Sequence, residues 1–234
     1  MTTFFTFYSF KGGVGRSMAL ANVADILARR GLRVLVIDFD LEAPGLERYF
    51  QVEKTAALTN PGLIDLIQSF KKSLSGADSI DDSAQFRQLE RFIFPVFQRP
   101  LPNGGELHLL TAGQREPAAQ YRQYALAVRT FDWQDFYYNW EGEAFFEWLR
   151  VELARPANGR LAYDVVLVDS RTGVTEMGGV CAYQLADVIV MLCAANHQNV
   201  EGTREVARDF RSDSVRALRR GRALEMVIVP ARIE

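Results

Sequence analysis

At 234 residues, the chain is long enough for one large α/β domain or two small ones. Apolar residues make up 48%, which excludes a disordered chain, and the formal net charge of -2 gives no global pull toward nucleic acid or an anionic membrane. Two cysteines, Cys181 and Cys193, form no C-x-x-C pair and suit a reducing compartment. With no signal-peptide pattern and no apolar run of about 18 residues, the sequence reads as that of a soluble cytoplasmic protein.

Residues 2–9, TTFFTFYS, are aromatic and β-favouring and predict a strand. The glycine-rich stretch FKGGVGRS, 10–17, follows, and 17–30 predict a helix that Gly31 stops. RVLVID, 33–38, is a continuously apolar strand ending in a carboxylate. Strand, glycine loop, helix and strand make a βαβ unit, which implies parallel pairing. PGLIDLIQSF, 61–70, predicts a helix with Pro61 in its first turn, and 71–83 read as a polar surface loop. Further strands are predicted at 106–110 (ELHLL), 163–169 (YDVVLVD), 186–195 (ADVIVMLCAA) and 225–231 (EMVIVPA), the last three as buried strands. Unbroken apolar runs imply strands covered on both faces. The expected class is therefore α/β: a doubly wound, mostly parallel sheet with helices on both faces.

Residues 121–148 hold eleven aromatics, including Trp133, Trp140 and Trp148. One reading is a helical layer packed on the sheet; the other is a partner or dimer surface. Exposure of Trp133 and Trp140 discriminates between them. Residues 201–225 carry seven arginines and five acids, which reads as a solvated, ion-paired face rather than a DNA surface. His108 and His197 lack metal spacing and are assigned no catalytic role.

FKGGVGRS nearly spells the phosphate-loop pattern G-x-x-x-x-G-K-[ST]. Phe10 stands at the first glycine, Arg16 at the lysine, and Lys11 sits one residue into the loop. Gly12, Gly13 and Gly15 allow backbone N–H groups to curve inward onto phosphate, with Val14, Arg16 and Met18 completing the cradle at a helix start. Ser17 stands where a hydroxyl would ligate Mg2+. Asp38 and Asp169 end two apolar strands, at the edge where doubly wound sheets bind ligands. Ser17 and Asp169 suit Mg2+, the acid acting through water.

KGGVGRS, VLVIDFDLEAPGL and YDVVLVDSRTG together resemble the MinD/ParA group of deviant Walker A ATPases, in its KGGVGR variant subset. The resemblance implies a P-loop fold, ATP and Mg2+ as ligands, and a nucleotide-dependent face-to-face homodimer. Lys11 would be the signature lysine, reaching the partner's phosphates. Asp38 and Asp40 would organise the metal-bound and attacking waters, Asp38 also counting among the metal residues. Asp169 would be the Mg2+ acid, and Ser170 to Gly173 the second switch. Arg16 departs from the usual lysine; it keeps the charge but is planar and larger, so binding is expected to survive and hydrolysis to be slow. The group's adenine-reading asparagine is absent, and Arg232 reads either as a base-stacking residue or as a solvated arginine. Two rival readings stand beside the ATPase. One is a nucleotide-binding scaffold with little hydrolysis that recruits a protein partner; the other is a small-molecule kinase or reductase. The subset often forms one module of bacterial signalling or defence proteins. The expectation is a single P-loop ATPase domain over 1–234, with an aromatic-rich helical insertion at about 114–155. It is further expected to be the N-terminal module of a longer polypeptide whose C-terminal part, or an unidentified partner, carries the output.

Overall fold

The computed structural model describes residues 2–50, 52–75, 86–99, 101–156, 163–172 and 180–232. Among them one seven-stranded sheet is built from β1 (Thr3–Tyr8), β2 (Arg33–Asp38), β3 (Ile93–Pro95), β4 (Glu106–Leu110), β5 (Val165–Asp169), β6 (Val188–Ala194) and β7 (Glu225–Ala231). The spatial order is β3-β4-β2-β5-β1-β6-β7. Every pair is parallel except β3 with β4. This is the doubly wound α/β class expected from the unbroken apolar runs.

Side-chain alternation divides the core. Phe4, Leu35, Ile37, Val166 and Val168 point to one face, under α3 (Leu63–Ser75), α4 (Ala118–Thr130), α5 (Trp133–Asn139) and α6 (Gly142–Ala154). Tyr8, Ile189 and Met191 continue that face beneath α7 (His197–Asp209), meeting Val206 and Phe210. Phe7, Val34, Val36, Leu109 and Leu167 point the other way, onto Leu20, Ala24 and Ala28 of α1 (Arg16–Arg29). The tryptophans of the aromatic segment are half-buried against Phe136, Phe145 and Phe146, which have no exposed surface. The segment is therefore a packed helical layer at Trp133 and Trp140.

Several local expectations change. α3 starts at Leu63, so Pro61 lies before the helix; the N–H groups of Leu63 and Ile64 instead donate to Thr111 O and Ala112 O, at 2.8 and 3.0 Å. α3 also runs on through residues 71–75, placed in a loop by their polarity. Lys71 there pairs with Asp135 at 3.2 Å and lies over the Trp140 ring, which anchors the last turn. The rest of that loop, 76–83, lies outside the described residues. The short β3 and the helix α2 (Lys54–Thr59) were not anticipated. β7 is the outer strand, not a buried one: it pairs only with β6 among the described residues and leaves Ile228 half exposed. In the arginine-rich stretch, Arg220 and Arg222 pair with Glu143 and Glu147 of α6. Arg219 departs from a solvated face. It is 1% exposed and donates to the carbonyls of Tyr183, Arg222 and Ala223, locking the turn before β7.

Candidate functional site

β1 delivers the chain to the glycine loop at the carboxyl edge of the sheet. Phe10, where the general pattern has glycine, packs its ring on α7. A methyl group at Gly202 would stand 2.3 Å from that ring, so only glycine leaves room for it. Gly13 and Gly15 take φ of 74° and 84°, the left-handed region that lets the loop curl over. No side chain caps α1 among the described residues, so its first N–H groups face the loop's mouth and the helix dipole adds positive potential there.

Parallel register sets Asp38 of β2 level with Asp169 of β5. Asp40 follows two residues later. Ser17, Asp38, Asp40 and Asp169 line one cavity of about 380 Å³, together with Pro44 and Arg48. Arg16 lies across the acids. Its Nε donates to Asp169 at 2.6 Å and its Nη2 to Asp40 at 3.2 Å, while Nη1 is buried with no hydrogen-bond partner. Burial alone would discourage the Arg16 charge, but Asp169 and then Asp40 outweigh it and hold the guanidinium protonated more firmly than a free arginine. Burial also pushes the Asp169 carboxyl up, against the pull of Arg16 and Ser17.

Asp38 has a different local job. Its carboxylate accepts from the backbone N–H groups of Asp40, Gly45 and Leu46, each at 3.2 Å, and so shapes the loop over 39–46. Burial, then the charge of Asp169, raises its pKa to about 7. The same loop is braced behind by the buried pair Glu47–Arg115 at 3.0 Å and by the Tyr124 hydroxyl, which donates to Leu41 O. Sequence reading missed these braces, because partners 68 and 83 residues apart in the chain leave no local pattern. It also missed Arg48, which stands two residues beyond the motif DLEAPGL.

The structure thus brings Arg16, Ser17, Asp38, Asp40 and Asp169 together. Val14 is buried beneath the loop, Gly12 and Met18 are exposed at its mouth, and Lys11 is half-buried. Arg232 is exposed, and its Nη2 lies 3.7 Å from where a Gly13 methyl would sit, beside the glycine loop. Of residues 170–173, expected to form the second switch, Ser170 is buried and Arg171 pairs with Glu42, while Gly173 lies outside the described residues. The arrangement can accept a polyphosphate. The loop offers donors, one buried Arg16 donor lacks an acceptor, and hydroxyl and carboxylate oxygens suit a hard divalent cation.

Comparison with known proteins agrees with this fold. Solved structures share the fold at low identity. A putative plasmid partition protein from Borrelia burgdorferi B31 bound to AMPPNP superimposes with a TM-score of 0.61 at 18% identity, covering 100% of this chain and 77% of that one. McdA from Cyanothece gives 0.61 at 16% identity, covering 98% and 72%. The septum site-determining protein MinD from Pyrococcus horikoshii, complexed with Mg-ADP, gives 0.52 at 17% identity, covering 96% and 68%. Among curated proteins none matches the sequence. The family model described as the CobQ/CobB/MinD/ParA nucleotide binding domain matches residues 5–221, and the chain belongs to that family.

Proposed function

We propose that this chain is a Mg2+-dependent ATPase that works as a nucleotide-controlled dimerisation switch. One observation carries the reading: beside an uncapped helix start and its glycine loop, Arg16 bridges Asp169 and Asp40 next to buried Asp38, and one of its own buried donors has no acceptor. The loop amides and Arg16 would hold the phosphates. Ser17 and Asp169 would hold Mg2+, with Asp38 behind them, and the bound ion would neutralise charge on the phosphate oxygens. Asp40 would orient a water toward the terminal phosphate. Lys11 would complete the partner's site. The AMPPNP and Mg-ADP of two similar structures support the choice of ligand. The KGGVGR resemblance extends the reading to a cytoplasmic module of a signalling or defence protein, with an output partner or domain of its own.

Arg16 also supports a second reading, a nucleotide-binding scaffold that barely hydrolyses. It answers both Asp40 and Asp169, so phosphate must draw it away from both before either acid is free. Single-turnover assays with Mg-ATP separate the two readings. The switch expects measurable wild-type turnover, cut about 10²–10⁴-fold in Asp40→Ala with AMPPNP affinity preserved. No wild-type turnover above buffer, with turnover appearing in Arg16→Lys, would establish the scaffold.

A further inference from the structure

The aromatic layer does more than cover the sheet. α4, α5 and the loop over 41–48 enclose a second cleft of about 770 Å³, within the size range of small-molecule sites. Pro44 and Arg48 line both this cleft and the acid-lined cavity, so the loop is their common wall. Two of its aromatic sides are fixed. Trp133 meets Phe131 edge-on at 4.7 Å and rests on buried Phe39 at 5.9 Å. Tyr124 floors the cleft, tied to the loop at Leu41, and Tyr121 stands exposed at the rim.

The cleft is strongly basic: four arginines line it against one glutamate, Glu42. Arg115 is answered by buried Glu47, and Arg171 by Glu42. Arg48 and Arg129 have no carboxylate within ion-pair distance among the described residues. An apolar ligand would leave these guanidinium groups unanswered, a cation would be repelled, and an inorganic anion would leave the rings wet. Flat rings beside planar guanidinium groups match a ligand that stacks at one end and is anionic at the other.

We propose that this cleft binds a small molecule made of a planar ring carrying a phosphate, at a site separate from the glycine loop. Its occupant touches Glu42, Pro44 and Arg48, and therefore sets the position of the segment that carries Asp40. The binding itself requires no hydrolysis at the neighbouring site.

Calorimetric titration of the protein saturated with Mg-AMPPNP tests this, using phenyl phosphate, adenosine monophosphate, inorganic phosphate and phenol. At least one of the two ring-bearing phosphates should bind one-to-one, tenfold or more tightly than inorganic phosphate or phenol; the tighter of the two identifies the source class. Arg129→Glu should weaken that binding at least tenfold and Tyr121→Ala several-fold. Both side chains are exposed, so folding is not at stake. AMPPNP affinity, titrated separately, should stay within twofold in both variants. A failure of AMPPNP to bind would count against the nucleotide reading and leave the cleft test to run on the free protein. Absence of saturable binding by either ring-bearing phosphate, displacement by AMPPNP, or unchanged affinity in Arg129→Glu would overturn the proposal.

Discussion

At the scale of single residues, Arg16 explains how Asp40 and Asp169 share one edge. Buried carboxylates at adjacent strand ends repel one another, and the guanidinium that bridges Asp169 and Asp40 offsets that repulsion. A lysine cannot make both contacts with one planar fork, so the departure from the usual residue suits this pair of acids. Removing one partner of a buried pair costs about 3–5 kcal/mol. Arg16→Ala should therefore lower the thermal midpoint of the nucleotide-free protein by several degrees, and Arg16→Lys by less; equal midpoints in calorimetry would mean that the bridge contributes nothing. Asp38 makes a second prediction. Its folded pKa, about 7, lies above the ordinary carboxylate value of 3.8, so the folded state binds more protons between those limits. That contribution to stability is full at acid pH and is lost as pH rises toward and through 7. Asp65 and Asp169 shift the same way, again through burial. Midpoints of the nucleotide-free protein should fall between pH 5 and pH 8, and the fall should shrink in Asp38→Asn, which resembles the protonated acid. Parallel pH profiles for the two proteins would contradict the assignment.

Elements show which signals are local and which are not. The glycine loop, α1 and the inner strands were legible because their signals lie within a few residues: an unbroken apolar run, a glycine cluster, a carboxylate at the strand end. β3 was not, since three residues pairing antiparallel to β4 leave no period to read. The apolar run of β7 announces a strand but says nothing of its place at the sheet's edge, which is fixed by strand order. Arg16 as bridge was equally hidden, because its acceptors come from other elements, and so was the bond from Arg219 to Tyr183 O. The contact between Phe10 and Gly202 belongs to this class and can be tested. In a helix, Gly→Ala ordinarily gains about 0.8–1 kcal/mol. At Gly202 a methyl would meet the Phe10 ring at 2.3 Å, so the sign should reverse. Gly202→Ala is expected to lower stability and to weaken AMPPNP binding about tenfold by pushing Phe10 and the glycine loop aside, and the double variant Gly202→Ala, Phe10→Ala should recover much of the binding. A more stable single variant with unchanged affinity would show that α7 does not position the loop.

For the whole molecule, the question is what Lys11 faces. Asp40 and Asp169 of its own site are answered by Arg16, and Lys11 has no ion-pair partner among the described residues. It is half-buried at the open edge of the sheet, beside the exposed glycines of the loop. A two-fold dimer closing over that edge would turn each lysine toward the other subunit's phosphates, and symmetry would use the contact twice. A hydrogen bond to a charged group contributes about 1.5–3 kcal/mol, so losing two would weaken the dimer by roughly 3–6 kcal/mol, about 10²–10⁴-fold in its dissociation constant. Sedimentation velocity with Mg-AMPPNP should then show a wild-type dimer and a Lys11→Ala monomer at the same concentration. AMPPNP affinity of the monomer, titrated well below the dimerisation range, should change by no more than about threefold, because Arg16 and the loop amides remain. If Lys11→Ala dimerises as well as wild type, the lysine acts within its own subunit; if it loses nucleotide binding before dimerisation, the cross-subunit role fails as well.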